Sequence, residues 1–161
     1  MSENVVGQHT SGVRFPPPFY YLIGLLIGFL IHWWLPVYLV TPLHRPMLDN
    51  PGVVLMVLGV SLFVWSVVVM HRAGTSPNPH VPTVALTMAG PYRFTRNPIY
   101  LAFVLVCAGF SLLVNLLWPL LSVLVVILIV DRRVIVKEER YLEAKFGDAY
   151  RQYKSRVRRW I

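Results

Sequence analysis

The sequence predicts an all-α integral membrane protein of about four transmembrane helices, and three observations carry that prediction. Of 161 residues, 56% are hydrophobic and only 14% charged, against about 25% charged in an ordinary soluble domain. Charged side chains are absent from three stretches, 15–44, 50–71 and 97–130, which are 30, 22 and 34 residues long. The mean hydropathy of +0.59 excludes a mostly disordered chain. It also excludes a soluble nucleic-acid binder, which would share the net charge of +8 but not the hydropathy.

The elements follow in order. Residues 1–14 form a polar tail, expected to be mobile. Residues 15–72 hold two spans, at about 19–40 and 52–71, because a helix crossing the hydrocarbon core needs about 20 apolar residues. The 97–130 stretch is too long for one span at about 1.5 Å per residue. Asn115 and Pro119 interrupt it, so it reads as a tight helical hairpin with spans at about 99–115 and 118–136. The first apolar run is longer than the 7–15-residue core of a secretory signal, and no small-residue cleavage site follows it. Cys107, the single cysteine, excludes an intrachain disulfide framework and reads as small apolar filler. No zinc-type spacing is present, so no metal is expected.

Lys/Arg placement sets the orientation. The 41–51 loop holds only Arg45, the turn at Asn115 holds none, and the segment from Asp131 onward holds ten Lys/Arg against five acids. The 72–98 loop and both termini are therefore expected in the cytoplasm. Trp33, Trp34, Tyr38 and Trp118 are expected at the outer interface. Gly24 and Gly28 form G-x-x-x-G, which permits close helix approach, either within the monomer or between copies.

Two polar segments share the cytoplasmic side within the 73–161 region. Pro77, Pro79, Pro82, Pro91 and Pro98 stiffen the first and forbid a continuous helix there. Asn97-Pro98 starts the third span, where the missing N–H costs little. The second, 131–147, continues the fourth helix past the membrane, with Gly147 as its stop. Glu138 and Glu139 point about 100° apart on a helix; they read either as a solvated helix end or as one carboxylate turned toward the 73–100 loop. Beyond them Arg156, Arg158 and Arg159 among aromatics read as a basic interfacial anchor.

Together, G-P-Y-R-x-x-R-N-P-x-Y at 90–100, E-E-x-x-L-x-x-x-F-G-x-x-Y-x-x-Y at 138–153 and V-x-R-W at 157–160 resemble the isoprenylcysteine carboxyl methyltransferase family. The related membrane phospholipid N-methyltransferases share the R-H-P-x-Y and Glu-Glu cores. The resemblance covers roughly residues 70–161. It implies methyl transfer from S-adenosyl-L-methionine within the membrane, with a cytoplasmic-side cofactor site that is not a Rossmann fold. Carried over by position, Val84, Ala85, Leu86 and Thr87 would follow the cofactor with main-chain groups. Tyr92 would contact it, Asn97, Pro98, Ile99 and Tyr100 would line it, and Glu138 would bind its polar end.

The chain departs from the family pattern in three places. Asn97 stands where members commonly have His, and Val84 lies near another such position; Asn hydrogen-bonds but does not titrate near neutrality. Val134 stands where prenylcysteine enzymes carry a substrate-facing Arg, with Arg132 and Arg133 adjacent. Glu139 and Arg133 are accordingly the candidates for catalysis, and Glu138, Glu139, Tyr92 and His80 the possible bases. The expected acceptor is a lipophilic small molecule or membrane lipid, presenting a carboxylate, amine or thiol. A non-catalytic membrane scaffold and a nicotinamide-dependent reductase are the alternatives.

Overall fold

Proline opens three of the long helices. α1 (Pro17–Trp34), α2 (Pro46–Arg72) and α3 (Pro98–Leu113) each carry Pro in the first turn, where the absent N–H has no intrahelical partner to lose. The computed structural model describes residues 15–41, 44–76 and 83–161. The expectations for residues 1–14 and for Pro77, Pro79, His80 and Pro82 lie outside the described residues.

α4 (Leu117–Val130) runs without a break into a π-helical segment, Asp131–Ile135, and then into α5 (Val136–Phe146). Gly147 ends α5 at φ +53°, a conformation that suits glycine. α6 (Asp148–Arg156) follows at once. Among the described residues the chain is otherwise loops, a 3₁₀ turn at Gly90–Arg93 and one isolated bridge between Tyr38 and Leu116.

Two spans begin or end differently from the sequence expectation. α1 stops at Trp34 rather than near 40, because Pro36 disfavours helical geometry at Leu35, whose φ and ψ are −133° and 82°. Residues 37–40 then pair with the α3–α4 turn. Asn115 sits at φ +58°; its amide accepts from Val40 N at 3.0 Å and donates to Val40 O at 2.9 Å. The interruption at Asn115 thus also fastens the α1–α2 connection. α2 starts at Pro46 rather than near 52, and includes Pro51 within its first turns.

Helix pairing follows the small residues. α1 packs on α4 and α2 on α3. A Cβ at Gly28 would lie 2.5 Å from Pro119 Cα, and Gly24 faces Val126, so the G-x-x-x-G face is consumed inside the monomer. The core gathers Tyr21, Tyr100, Val126, Val130, Val134 and Ile135 where α1, α3 and the α4–α5 helix meet.

The outward faces are apolar. Leu22, Leu26 and Leu30 on α1, Val53, Val57 and Val64 on α2, and Leu124 and Leu128 on α4 are all about half exposed. Such area in water would mark an aggregation liability; here it marks a membrane protein. α1 and α2 are long and apolar enough to cross a bilayer, whereas α3 is 16 and α4 14 residues long. Trp33 and Trp34, each 85% exposed, lie at the Asn115 end with Trp118, whose Nε1 donates to Leu35 O at 2.7 Å.

Candidate active site

The opposite end of the bundle, where α2 ends and α3 begins, holds a cavity of about 460 Å³. Its walls come from the loop preceding α3, the first turns of α3, the inner face of α5, and α6. The lining grades from Thr87, Tyr92, Asn97 and Glu138 to Phe63 and Met70 of α2 and Phe103 of α3, with Pro16–Pro18 at the start of α1.

Long-range hydrogen bonds shape the loop. Buried Thr75 accepts from Ala85 N and donates to Ala85 O, both at 3.0 Å. Thr83 N donates to the Tyr141 hydroxyl at 3.3 Å. Gly90, at φ +57°, turns the chain into the 3₁₀ segment. Tyr153 of α6 then donates to Tyr92 O at 2.8 Å.

Nine of the ten residues assigned to the cofactor from sequence line this one cavity: Ala85, Leu86, Thr87, Tyr92, Asn97, Pro98, Ile99, Tyr100 and Glu138. Val84 does not; its side chain points outward, 71% exposed. Of the two catalytic candidates, Arg133 is exposed and away from the cavity. Glu139 reaches the cavity, but both its oxygens are committed. Oε1 lies 2.9 Å from Arg96 Nη1 and accepts from Arg159 Nε at 3.0 Å, and Oε2 accepts from Arg159 Nη2 at 2.6 Å.

The adjacent glutamates both turn inward, to different partners. The roughly 100° between them is satisfied because structure lies on both sides of α5 (α3 on one, the C-terminal segment on the other). Glu138 Oε1 accepts from the Tyr100 hydroxyl at 2.6 Å. Burial pushes the Glu138 carboxyl up to about 7; Glu139 adds to the rise and the Tyr100 hydrogen bond opposes it. Burial raises Tyr92 and Tyr153 well above the ordinary phenol value, and Tyr150 to about 12. These three phenols therefore stay protonated at neutral pH rather than acting as bases. Thr87 Oγ1 is buried and has no hydrogen-bond partner among the described residues.

The sequence reading missed the C-terminal clasp. Arg159 is no lipid anchor: its Nη1 sits 3.2 and 3.1 Å from the Asp131 oxygens while the rest of the guanidinium holds Glu139. Trp160 Nε1 donates to Asp131 Oδ1 at 2.9 Å. Arg156 and Arg158 remain exposed, as an anchor requires. Two signals were legible. An aspartate directly after an apolar span needs a partner, and the V-x-R-W spacing supplies one.

The sequence model of one family, described as phospholipid methyltransferase, matches residues 50–149. An uncharacterised protein of Haemophilus influenzae is 41% identical over 63 residues, which are 39% of this chain and the whole of that relative. No solved structure matches the chain.

Proposed function

The chain belongs to the phospholipid methyltransferase family, and from that premise we propose that it is a membrane-embedded, S-adenosyl-L-methionine-dependent methyltransferase acting on a lipophilic acceptor at the cytoplasmic membrane surface. The observation that carries this reading is the graded cavity. A half-buried carboxylate, two amide or hydroxyl donors and a buried hydroxyl without a partner among the described residues stand at one end, and aromatic and aliphatic side chains at the other. That donor set fits the cofactor. Glu138 suits an ammonium group, Thr87 Oγ1 has unused capacity for a polar edge, and the ring of Tyr92 offers a flat apolar surface.

When bound, S-adenosyl-L-methionine supplies a methyl group already activated by its sulfonium. The protein then has mainly to align donor and nucleophile and to exclude water. Glu138 would hold the polar end of the cofactor, and Tyr100 would fix the Glu138 carboxylate in place. Asn97 and residues 85–87 would complete that wall. The apolar faces of Phe63, Met70 and Phe103 would receive the greasy part of the acceptor, entering beside α1 through the bilayer. Glu139, with both oxygens engaged, is a positioning residue rather than a proton acceptor. A carboxylate acceptor would need no proton removed, whereas an amine or thiol acceptor would.

We read the chain as crossing the bilayer four times with both termini cytoplasmic. The Lys/Arg distribution supports this, as does the continuous helix from Leu117 to Phe146, which is longer than a single crossing needs. The test offers purified protein labelled S-adenosyl-L-methionine together with extracted phospholipids, prenylated thiols and small lipophilic amines. A lipid-soluble product heavier by one methylene supports the reading. A folded protein that binds no cofactor overturns it.

A further inference from the structure

One residue of the tail joins both walls of the cavity. The main-chain carbonyl of Arg159 accepts from Thr95 Oγ1 at 3.1 Å and from Asn97 Nδ2 at 2.9 Å, and the preceding carbonyl of Arg158 accepts from Arg96 N at 3.0 Å. The guanidinium of the same residue grips Glu139 and Asp131 on the α4–α5 helix. Glu139 in turn pairs with Arg96 on the loop. The backbone of Arg159 thus holds the loop wall and its side chain holds the helix wall. Trp160 adds a second bond to Asp131, the first residue of the π segment.

We propose that Arg159 and Trp160 form a C-terminal latch, positioning residues that assemble the ligand cavity by pinning residues 95–97 against Glu139 and Asp131. Three features distinguish a latch from a terminus that merely rests on the surface. The helical part of the tail ends at Arg156 and Val157 is extended, so residues 158–160 are held by these polar contacts and by the packing of Trp160 against the core, rather than by helix. Three of the residues they fix, Arg96, Asn97 and Glu139, line the cavity. The Arg96–Glu139 side chains are only 10% and 9% exposed, so Glu139 would keep a single cation if Arg159 left, and Asp131 would keep none of its ion pairs. The fork geometry matters as much as the charge, because Arg159 meets Glu139 with two parallel N–H···O bonds, which an ammonium cannot reproduce.

The test measures amide hydrogen exchange of the full chain in an uncharged detergent without ligand, and separately the Kd for S-adenosyl-L-methionine. Arg159→Ala keeps the carbonyl that receives Thr95 and Asn97, so any loosening of the wall reads the guanidinium's hold. Exchange at residues 92–97 is expected to rise about tenfold, and the Kd to rise by about the same factor, with exchange in α2 unchanged. Arg159→Lys is expected to recover only part of both. Trp160→Phe removes the Nε1 hydrogen bond together with part of the indole's packing, keeps an aromatic side chain, and is expected to speed exchange at 92–97 about fivefold; it serves where Arg159→Ala does not fold. Wild-type exchange at 92–97 in a folded Arg159→Ala or Trp160→Phe protein overturns the latch. The uncharged detergent removes any contribution from anionic lipid. The affinity arm rests on the proposed function, and the exchange arm does not. Loosening at 92–97 in a protein whose wild type binds no cofactor would keep the latch and discard the methyltransferase reading.

Discussion

Replacing Glu138 with Gln removes the single charge that the cavity offers a cationic ligand without a compensating cation. Glu138 keeps one oxygen on the Tyr100 hydroxyl at 2.6 Å, and Gln can preserve that bond through its amide oxygen, so the packing survives. A hydrogen bond to a charged group contributes about 1.5–3 kcal/mol, so the Kd for S-adenosyl-L-methionine should rise roughly 10- to 150-fold. The pH dependence gives a sharper reading. With its carboxyl near 7, Glu138 is about one tenth ionised at pH 6 and about three quarters at pH 7.5, so wild-type affinity should rise roughly eightfold between them. In Glu138→Gln the rise should vanish. Stability of the ligand-free protein should move the other way. The folded carboxyl lies above its ordinary value of 4.5, so the folded state holds the proton through the window from about 4.5 to 7, and stability falls as pH rises across it. Isothermal titration in detergent at the two pH values checks the binding, and a thermal melt over the same window checks the stability. Wild-type affinity that is flat between the two pH values, or a Gln variant that keeps the slope, would refute the role assigned to Glu138.

Three other predictions follow from the fold. Gly28→Leu drives a side chain into the backbone of Pro119, whose Cα and N would lie 2.5 and 2.7 Å from the new Cβ; it should cost about 1–3 kcal/mol, measured as the denaturation midpoint in mixed micelles, whereas Leu26→Ala on the exposed face should change little. Asn115→Ala loses two bonds to Val40 and leaves alanine at φ +58°, a cost of about 2–4 kcal/mol in the same assay. For topology, cysteines placed at Met47 and at Lys145 should react with an impermeant thiol reagent from opposite sides of sealed vesicles, because the two positions lie at opposite ends of the bundle; labelling from one side only would overturn the four-crossing reading.

The candidate site was largely legible in the sequence, for identifiable reasons. The Gly-Pro turn at Gly90, the Pro98 helix start and the Gly147 stop are local features, and each appears in the fold where residue chemistry places it. The same locality made Asn115 readable as a break. It left invisible that the Asn115 side chain also binds Val40, 75 residues away. Val84 is expected to follow the cofactor through its main chain; what the sequence did not reveal is that the neighbouring Thr75–Ala85 hydrogen bonds go with a side chain facing outward. Arg133 was chosen for its nearness in sequence to Val134, yet Val134 is fully buried in the core and Arg133 is exposed.

By itself the sequence determined that this is a helical membrane protein, because long runs without charge admit few other structures. It also placed two polar blocks at one end of those helices. Only the tertiary structure decided which charges meet. Hydropathy and spacing report where a charge is rare, but the partner of a charge is chosen by which segments dock. Arg159, read as one more cation in a basic tail, meets Asp131 and Glu139 across 28 and 20 residues. Glu138 and Glu139, identical in type and adjacent in sequence, part company because α3 lies on one side of their helix and the C-terminal segment on the other.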